Sequence, residues 1–316
     1  MKKIICTWDL TEAQKQRLED SCPEAEITYL SDREVTAEIL KNYEILVGNV
    51  APAIVAEAKH LEWIQLNSAG AAQYCKPGIL ADTTMLTNGT GAYGMPLAEH
   101  MLGGLLALKK KLIPYYENQK QHLWRDEGAV SGIWNSTTLV LGTGNTGSEF
   151  AKRMQALGSR VIGLRRTLKE MPEGFDEQHQ MDQLEALLPK ADIVALCLPG
   201  TDATKHVITE KHLALMKDSA ILLNVGRGNL VDCAALNTAL RRGMIAGAFL
   251  DVTDPEPLPQ DDPLWDAPGA LITPHIAGGN HMKEIYETLV DITCENMRRY
   301  FAGEDLKNQV NRSVGY

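Results

Sequence analysis

Short apolar runs separated by amphipathic stretches set the rhythm of this 316-residue chain. Runs at 3–6, 27–30, 44–47, 63–66 and 85–88 have the length and character of buried strands. Helical patterns lie between them. Thr11 with Gln14 has the form of a capping box opening a helix to about Asp20; Thr36 caps a second helix, and 53–59 forms a third. A longer apolar stretch follows Pro96, which suits the first turn of a helix running through Glu99, Leu102, Leu106 and Leu108. Gly103 and Gly104 inside it cost roughly 1 kcal/mol each against alanine. That predicts either close approach at an interdomain or subunit contact, or burial within the chain's own fold. Tyr115 to Gly132 is polar, carries Trp124, and reads as an excursion.

The alternation resumes with strands at 139–141, 161–164, 192–198, 220–224, 246–250 and 270–273, and helices at 183–188, 210–216 and 234–242. Strands alternating with helices predict the α/β class, with parallel sheets covered on both faces. One junction is specific. The run 139–141 ends in Gly142-Thr143-Gly144-Asn145-Thr146-Gly147; a helical pattern follows on Phe150, Met154 and Leu157, Gly158 closes it, and a second strand ends in Arg165-Arg166-Thr167. Gly142 allows the turn out of the strand, Gly144 lets backbone approach a pyrophosphate, and Gly147 lets helix and strand pack closely. Unpaired N–H groups at the helix start would then face the phosphates. An ordinary tight turn has the same glycines, but the flanking strand, helix and strand favour dinucleotide binding. Residues 1–90 have no such glycine motif and read as a separate α/β domain. There Ser68-Ala69-Gly70 follows a strand end and is either a substrate loop or a plain connection.

Composition changes the picture little: 44% apolar and 23% charged residues describe an ordinary globular protein. A net charge of −10 argues against nucleic acid or an anionic membrane as partner. Lys109-Lys110-Lys111 reads as a helix end decorated by cations. The apolar run at the N-terminus is too short for a signal peptide, and Glu99, His100 and the lysines disqualify 95–112 as a membrane span. Six cysteines without C-x-x-C or metal-ligand spacing predict reduced thiols, a cytoplasmic location and no metal.

Three polar residues of different chemistry fall near strand ends: Arg227, Glu256 (between Pro255 and Pro257) and His275. Their types fit one reaction. Hydride moving from nicotinamide to a 2-oxo carbon leaves negative charge on oxygen, and a histidinium can protonate that oxygen. A carboxylate beside the ring favours its charged form and fixes its tautomer. An arginine can grip a substrate carboxylate and polarise the keto oxygen. Singly, each has a bland reading: a surface turn, a solvated loop, a structural histidine.

Together these residues resemble the D-isomer-specific 2-hydroxyacid dehydrogenase family, which includes glyoxylate/hydroxypyruvate reductases and phosphoglycerate dehydrogenases. The resemblance is strong from about Asn67 onward. It is carried by the stretches Leu223-Asn-Val-Gly-Arg-Gly-Asn-Leu-Val-Asp232, Leu250-Asp-Val-Thr-Asp-Pro-Glu-Pro-Leu-Pro259 and Leu271-Ile-Thr-Pro-His-Ile-Ala-Gly278. It implies that Arg227 binds substrate, Glu256 pairs with the histidine, and His275 is the acid/base. Ser68, Ala69 and Gly70 would hold the substrate carboxylate. Asp251 would help hold the nicotinamide carboxamide. Pro199 and Thr204 match a cofactor-side loop; Val225, Gly226 and Gly278 lie in the quoted motifs and complete that set. The implied architecture is two doubly wound domains. A Rossmann-type cofactor domain (97–283) is inserted into a flavodoxin-like substrate domain (1–96 and 284–316), and the protein is a homodimer involving the helix after Pro96.

Two positions depart from the family pattern. Cys233 replaces a common acid where a helix opens, with little expected effect on chemistry. Arg165 stands where NAD-dependent members carry Asp, so NADP(H) is favoured while NAD(H) stays open. The expected activity is reduction of a small 2-oxo acid to the D-2-hydroxy acid. Alternatives are a phosphoglycerate dehydrogenase-type enzyme, against which the short stretch after His275 weighs, and a nucleotide-sensing corepressor of the same fold.

Overall fold

The computed structural model describes residues 1–278, 282–313 and 315. The chain forms two compact units, Met1–Tyr93 with Met282–Tyr316, and Gly94–His281.

In the first unit, β1 (Lys2–Cys6), α1 (Glu12–Ser21), β2 (Ala25–Tyr29), α2 (Ala37–Leu40), β3 (Ile45–Val47), α3 (Pro52–Val55), β4 (Trp63–Gln65) and β5 (Met85–Thr87) follow in order. All strand pairs are parallel, in the order β2-β1-β3-β4-β5. This is the flavodoxin-like order. Strand side chains alternate between faces. Ile4, Ile45 and Trp63 pack with Leu18 and with Ile285, Leu289, Val290 and Met297 of the C-terminal helix (Lys283–Ala302). Ile5, Leu46 and Ile64 face the other way, onto Leu40, Val55 and Tyr74. The capping box at Thr11 forms: Gln14 N–H donates to Thr11 Oγ1 at 3.3 Å, and Gln14 Oε1 accepts from Thr11 N–H at 3.0 Å. Gln14 and Arg17 of α1 also bind Glu287 of the C-terminal helix. The third helix is shorter than the expected 53–59, ending at Val55.

The second unit opens with α4 (Gly94–Lys109) and α5 (Leu112–Lys120), then β6 (Thr137–Leu141), α6 (Asn145–Ala156), β7 (Arg160–Arg165), β8 (Glu177–Gln180) and α7 (Leu184–Leu187). It continues through β9 (Ile193–Leu196), α8 (Glu210–Leu215), β10 (Ile221–Asn224), α9 (Cys233–Arg241), β11 (Gly247–Leu250) and β12 (Ala270–Ile272). Its parallel sheet runs β12-β11-β10-β9-β6-β7-β8. This is the Rossmann order with one strand added at the β11 side. Leu139, Leu141, Val194, Leu196 and Leu222 line one face. Val140, Ile193, Ala195, Leu223 and Phe249 line the other, against Met101, Leu105, Phe150 and Met154 of α4 and α6.

Three readings gain detail. Lys109 is the last residue of α4, a helix end as expected, and it is buried there: it is 5% exposed, donates to Ser131 Oγ at 3.3 Å, and burial lowers its pKa. The excursion after Tyr115 begins inside α5. The helix expected at 183–188 is one α-helical turn at Leu184–Leu187 between two 3₁₀ segments, and Pro189 lies in the second. The glycines of α4 divide. A Cβ on Gly104 would stand 2.4 Å from Phe249 Cγ, so this glycine serves burial against β11; Gly103 is exposed.

Candidate functional site

The order of the second sheet reverses between β6 and β9, and the glycine turn sits there. Gly142 follows β6 with φ +100°, and a Cβ on it would stand 2.5 Å from the carbonyl oxygen of Cys197, just beyond β9. Gly144 is the N-cap of α6 and supplies no side-chain cap; a Cβ there would meet nothing within 4 Å. Thr146 is half-buried, and Asn145, exposed, lies against Gly94 at the start of α4. The first turn of α6 therefore presents N–H donors and the positive end of a helix dipole to open space. Gly147 packs onto the turn, and Gly158 ends α6 at φ +80°, donating to Gln155 O while Ser159 N–H reaches Met154 O. A dinucleotide pyrophosphate fits this opening. Arg165 is the last residue of β7, half-buried, and Arg166 and Thr167 follow it on the surface.

Beyond β9, Thr204 Oγ1 donates to Pro199 O at 2.7 Å and accepts from Thr201 N–H at 2.9 Å, so Pro199 and Thr204 close one turn. A Cβ on Gly200 in that turn would stand 2.8 Å from Arg227 Cγ, and one on Gly226 2.6 Å from Leu198 O. Val225 and Gly226 thus lie beside the Pro199 turn. Gly228 would place a Cβ 1.8 Å from Thr253 O. The glycines flanking Arg227 let its backbone lie between two other loops. Asn224, 1% exposed, completes the corner: its Nδ2 donates to Arg227 O at 2.9 Å and its Oδ1 accepts from Gly226 N–H at 3.1 Å. Arg227 is among the exposed residues, yet burial of its surroundings lowers its pKa, with the Glu256 carboxylate acting in the opposite direction. Asn224 was readable only as a polar residue ending an apolar strand.

His275 Nδ1 hydrogen-bonds to Glu256 Oε1, and both side chains are accessible to solvent. His275 has φ +52°, an uncommon left-handed backbone for a residue with a Cβ. Asp251 holds that backbone. Its carbonyl accepts from His275 N–H at 2.8 Å; its Oδ1 accepts from Thr273 Oγ1 at 2.6 Å and Ile276 N–H at 3.0 Å; its Oδ2 accepts from Ala277 N–H at 3.0 Å. Burial alone would raise the pKa of this 2%-exposed carboxyl, but the hydrogen bonds from His100, Thr273, Ala277 and Ile276 leave it below the ordinary value. Oδ2, with one donor among the described residues, can still accept another, such as a carboxamide N–H. Gly278 is half-buried at the turn after Ala277.

The loop Ser68-Ala69-Gly70 belongs to the first unit, beyond the carboxyl end of β4. Ser68 Oγ donates to Gly70 O at 2.7 Å and accepts from Asn49 Nδ2 at 3.0 Å; Asn88 Nδ2 donates to Ala69 O at 2.8 Å. Among the described residues the N–H groups of Ser68, Ala69 and Gly70 have no acceptor. Asn49 and Asn88, which shape the loop, carried no signal in the sequence.

Residues 102–277 match the model of the family described as D-isomer specific 2-hydroxyacid dehydrogenase, NAD binding domain. The chain is 30% identical to a glyoxylate/hydroxypyruvate reductase B of Escherichia fergusonii over 322 residues, covering 98% of each chain. It is also 30% identical to a D-3-phosphoglycerate dehydrogenase of Methanocaldococcus jannaschii, covering 98% of this chain and 60% of that enzyme's length. A crystal structure of a D-isomer specific 2-hydroxyacid dehydrogenase family protein from Aeromonas salmonicida aligns with a TM-score of 0.88 at 31% identity, covering 98% of this chain and 99% of that one. With two parallel-sheet α/β units, an open Rossmann turn and a His275–Glu256 pair, the chain belongs to the D-isomer specific 2-hydroxyacid dehydrogenase family.

Proposed function

We propose that this protein reduces a small 2-oxo acid, with glyoxylate or hydroxypyruvate preferred, to the D-2-hydroxy acid, and that NADP(H) is its favoured cofactor. The observation that carries the reading is the His275–Glu256 pair beside Arg227, on the sheet whose glycine turn leaves a helix N-terminus open. The reduced nicotinamide, when bound, supplies the hydride that the 2-oxo carbon takes up. The chain's part is to place and discharge the keto oxygen. With Glu256 ionised, His275 Nδ1 carries a proton toward it, which leaves Nε2 as the nitrogen that protonates the oxygen. Arg227 binds the carboxylate and polarises the carbonyl. In the first unit, Ser68, Ala69 and Gly70 offer free N–H groups of the kind that a substrate carboxylate accepts.

The open first turn at Gly142, Gly144, Asn145, Thr146 and Gly147 binds the pyrophosphate. Asp251 Oδ2 and the turns carrying Pro199, Thr204, Val225, Gly226 and Gly278 serve the nicotinamide half. Arg165, Arg166 and Thr167 receive a 2′-phosphate. NADPH oxidation followed across glyoxylate, hydroxypyruvate, pyruvate, phenylpyruvate and branched 2-oxo acids tests the proposal. Turnover of the two smallest acids is expected. A clear preference for phenylpyruvate overturns the substrate assignment, and binding of NADPH without turnover of any acid favours a sensing role.

We also propose a cytoplasmic homodimer. Leu112, Ile113, Tyr116, Leu123, Trp124, Val130 and Trp134 are exposed within one segment, an apolar surface that association would cover. All six cysteines are free, and none of the described helices is long and apolar enough to cross a membrane. Light scattering of the purified protein should give twice the chain mass; a monomer at micromolar concentration refutes the dimer.

A further inference from the structure

His100 lies on α4, 175 positions before the proposed proton donor, and the quoted motifs do not include it. Its Nε2 is 3.0 Å from Thr273 Oγ1 and 3.4 Å from Asp251 Oδ1. Its ring packs on Phe249 of β11 at 5.1 Å between centroids, on the residue that also closes over Gly104. The proton directions follow from counting. A threonine hydroxyl has one hydrogen, and that of Thr273 is committed to the Asp251 carboxylate at 2.6 Å. Toward His100 the hydroxyl can only accept, so Nε2 of His100 bears a proton and donates. The chain of bonds runs from His100 through Thr273 to Asp251 Oδ1. The same carboxylate collects the N–H groups of Ile276 and Ala277, while the Asp251 carbonyl takes that of His275.

We propose that His100 and Thr273 are positioning residues that act through Asp251 to hold the left-handed turn on which His275 stands. The turn needs such a brace. A residue with a Cβ at φ +52° sits in a sparsely populated conformation that persists where its surroundings over-determine it. Thr273 and three backbone N–H groups of the turn itself, those of His275, Ile276 and Ala277, converge on Asp251. The role of His275 rests on the function proposed above; the brace does not.

The test therefore has two readouts. Amide exchange across 275–278, measured without cofactor or substrate, reports the turn; kcat and KM for the 2-oxo acid report its consequence. Thr273→Val is expected to speed exchange at Ile276 and Ala277 roughly tenfold, the worth of one hydrogen bond of this kind. It should lower kcat by a similar factor, with KM within about twofold. Thr273→Ser, which keeps the hydroxyl, should restore both. His100→Gln keeps a donor and should fall between wild type and His100→Leu, a series that also serves if Thr273→Val does not fold. Wild-type exchange in both Thr273→Val and His100→Leu overturns the proposal, whatever kcat does. Faster exchange in a protein whose wild type reduces none of the 2-oxo acids supports the brace and counts against the dehydrogenase reading alone.

Discussion

A Cβ on Gly147 would stand 1.9 Å from the carbonyl oxygen of Gly142. The start of α6 is thus seated directly on the turn that leaves β6, with no room for even a methyl group. Gly147→Ala must push the helix off the turn and move the N–H groups that face the opening. We expect a loss of about 2–4 kcal/mol in stability, the usual cost of overpacking plus backbone strain, and at least tenfold weaker binding of the dinucleotide. Gly144→Ala, whose Cβ meets nothing within 4 Å, should keep wild-type stability while weakening cofactor binding. Thermal melts and cofactor titrations of the two variants check this; equal melting temperatures would show that the close approach is not limiting.

His275→Ala should lower turnover by roughly 10²–10⁴, the range for loss of a general acid, with dinucleotide binding intact. Glu256→Gln should lower kcat with little change in KM, because the partner of the carboxylate is the imidazole. Arg227→Ala should damage both constants. Steady-state kinetics of the three variants decide the assignment, and near wild-type turnover in His275→Ala would refute it.

Arg165 ends β7, the second strand of the cofactor unit, where an acid would accept bonds from the ribose and repel a 2′-phosphate. Each partly exposed arginine–phosphate contact is worth ~1–2 kcal/mol, about tenfold in affinity. Wild type should prefer NADPH to NADH by roughly 10–100-fold in kcat/KM on that basis. Arg165→Asp should erase or reverse the ratio, since an attraction is lost and a repulsion added. Equal use of both cofactors by the wild type, or the same ratio in the variant, would remove these residues from phosphate recognition.

Asp251 gives a pH dependence with a definite sign. Its pKa is below the ordinary value in the folded protein, through hydrogen bonds that outweigh burial. The fold therefore holds the ionised form. That contribution is complete above the unfolded carboxyl pKa of about 3.9 and is lost as pH falls through the lower folded value. Asp251→Asn should destabilise by about 3 kcal/mol at neutral pH, the scale of removing charged hydrogen bonds from a buried site. It should also flatten the fall in stability below about pH 4. Denaturant unfolding from pH 3 to 7 measures both, and parallel acid limbs would contradict the sign.

Most strands of both sheets were legible as short apolar runs between amphipathic stretches. β8 was not. Its sequence, Glu177-Gln178-His179-Gln180, has no apolar periodicity, and it pairs with β7 alone at the sheet edge, where polar side chains are tolerated. α5 escaped for the same reason: Tyr115 to Lys120 has no buried face beyond Asn118. Arg227, Glu256 and His275 could be picked out because charged residues near the ends of buried strands have few structural reasons to be there. His100 could not. A histidine in an apolar helix says nothing of an acceptor 173 residues away, and only the packing of α4 against β11 brings it to Thr273.

The first unit is interrupted in sequence, and this has a consequence for how the protein is made. Ile4, Leu18 and Trp63 share a core with Ile285, Leu289, Val290 and Met297, which leave the ribosome only after all of Gly94–His281 has been synthesised. At roughly 5–20 residues per second, some tens of seconds separate the two halves of that core. Through this interval the face of β1–β5 that the C-terminal helix shares has only α1 to cover it, and by its end the inserted unit has every residue of its own. The nascent chain therefore passes through a stage in which its later-starting unit can be complete and its earlier-starting one cannot. In that stage the apolar face of the opening segment is what a chaperone, or another nascent copy, would meet.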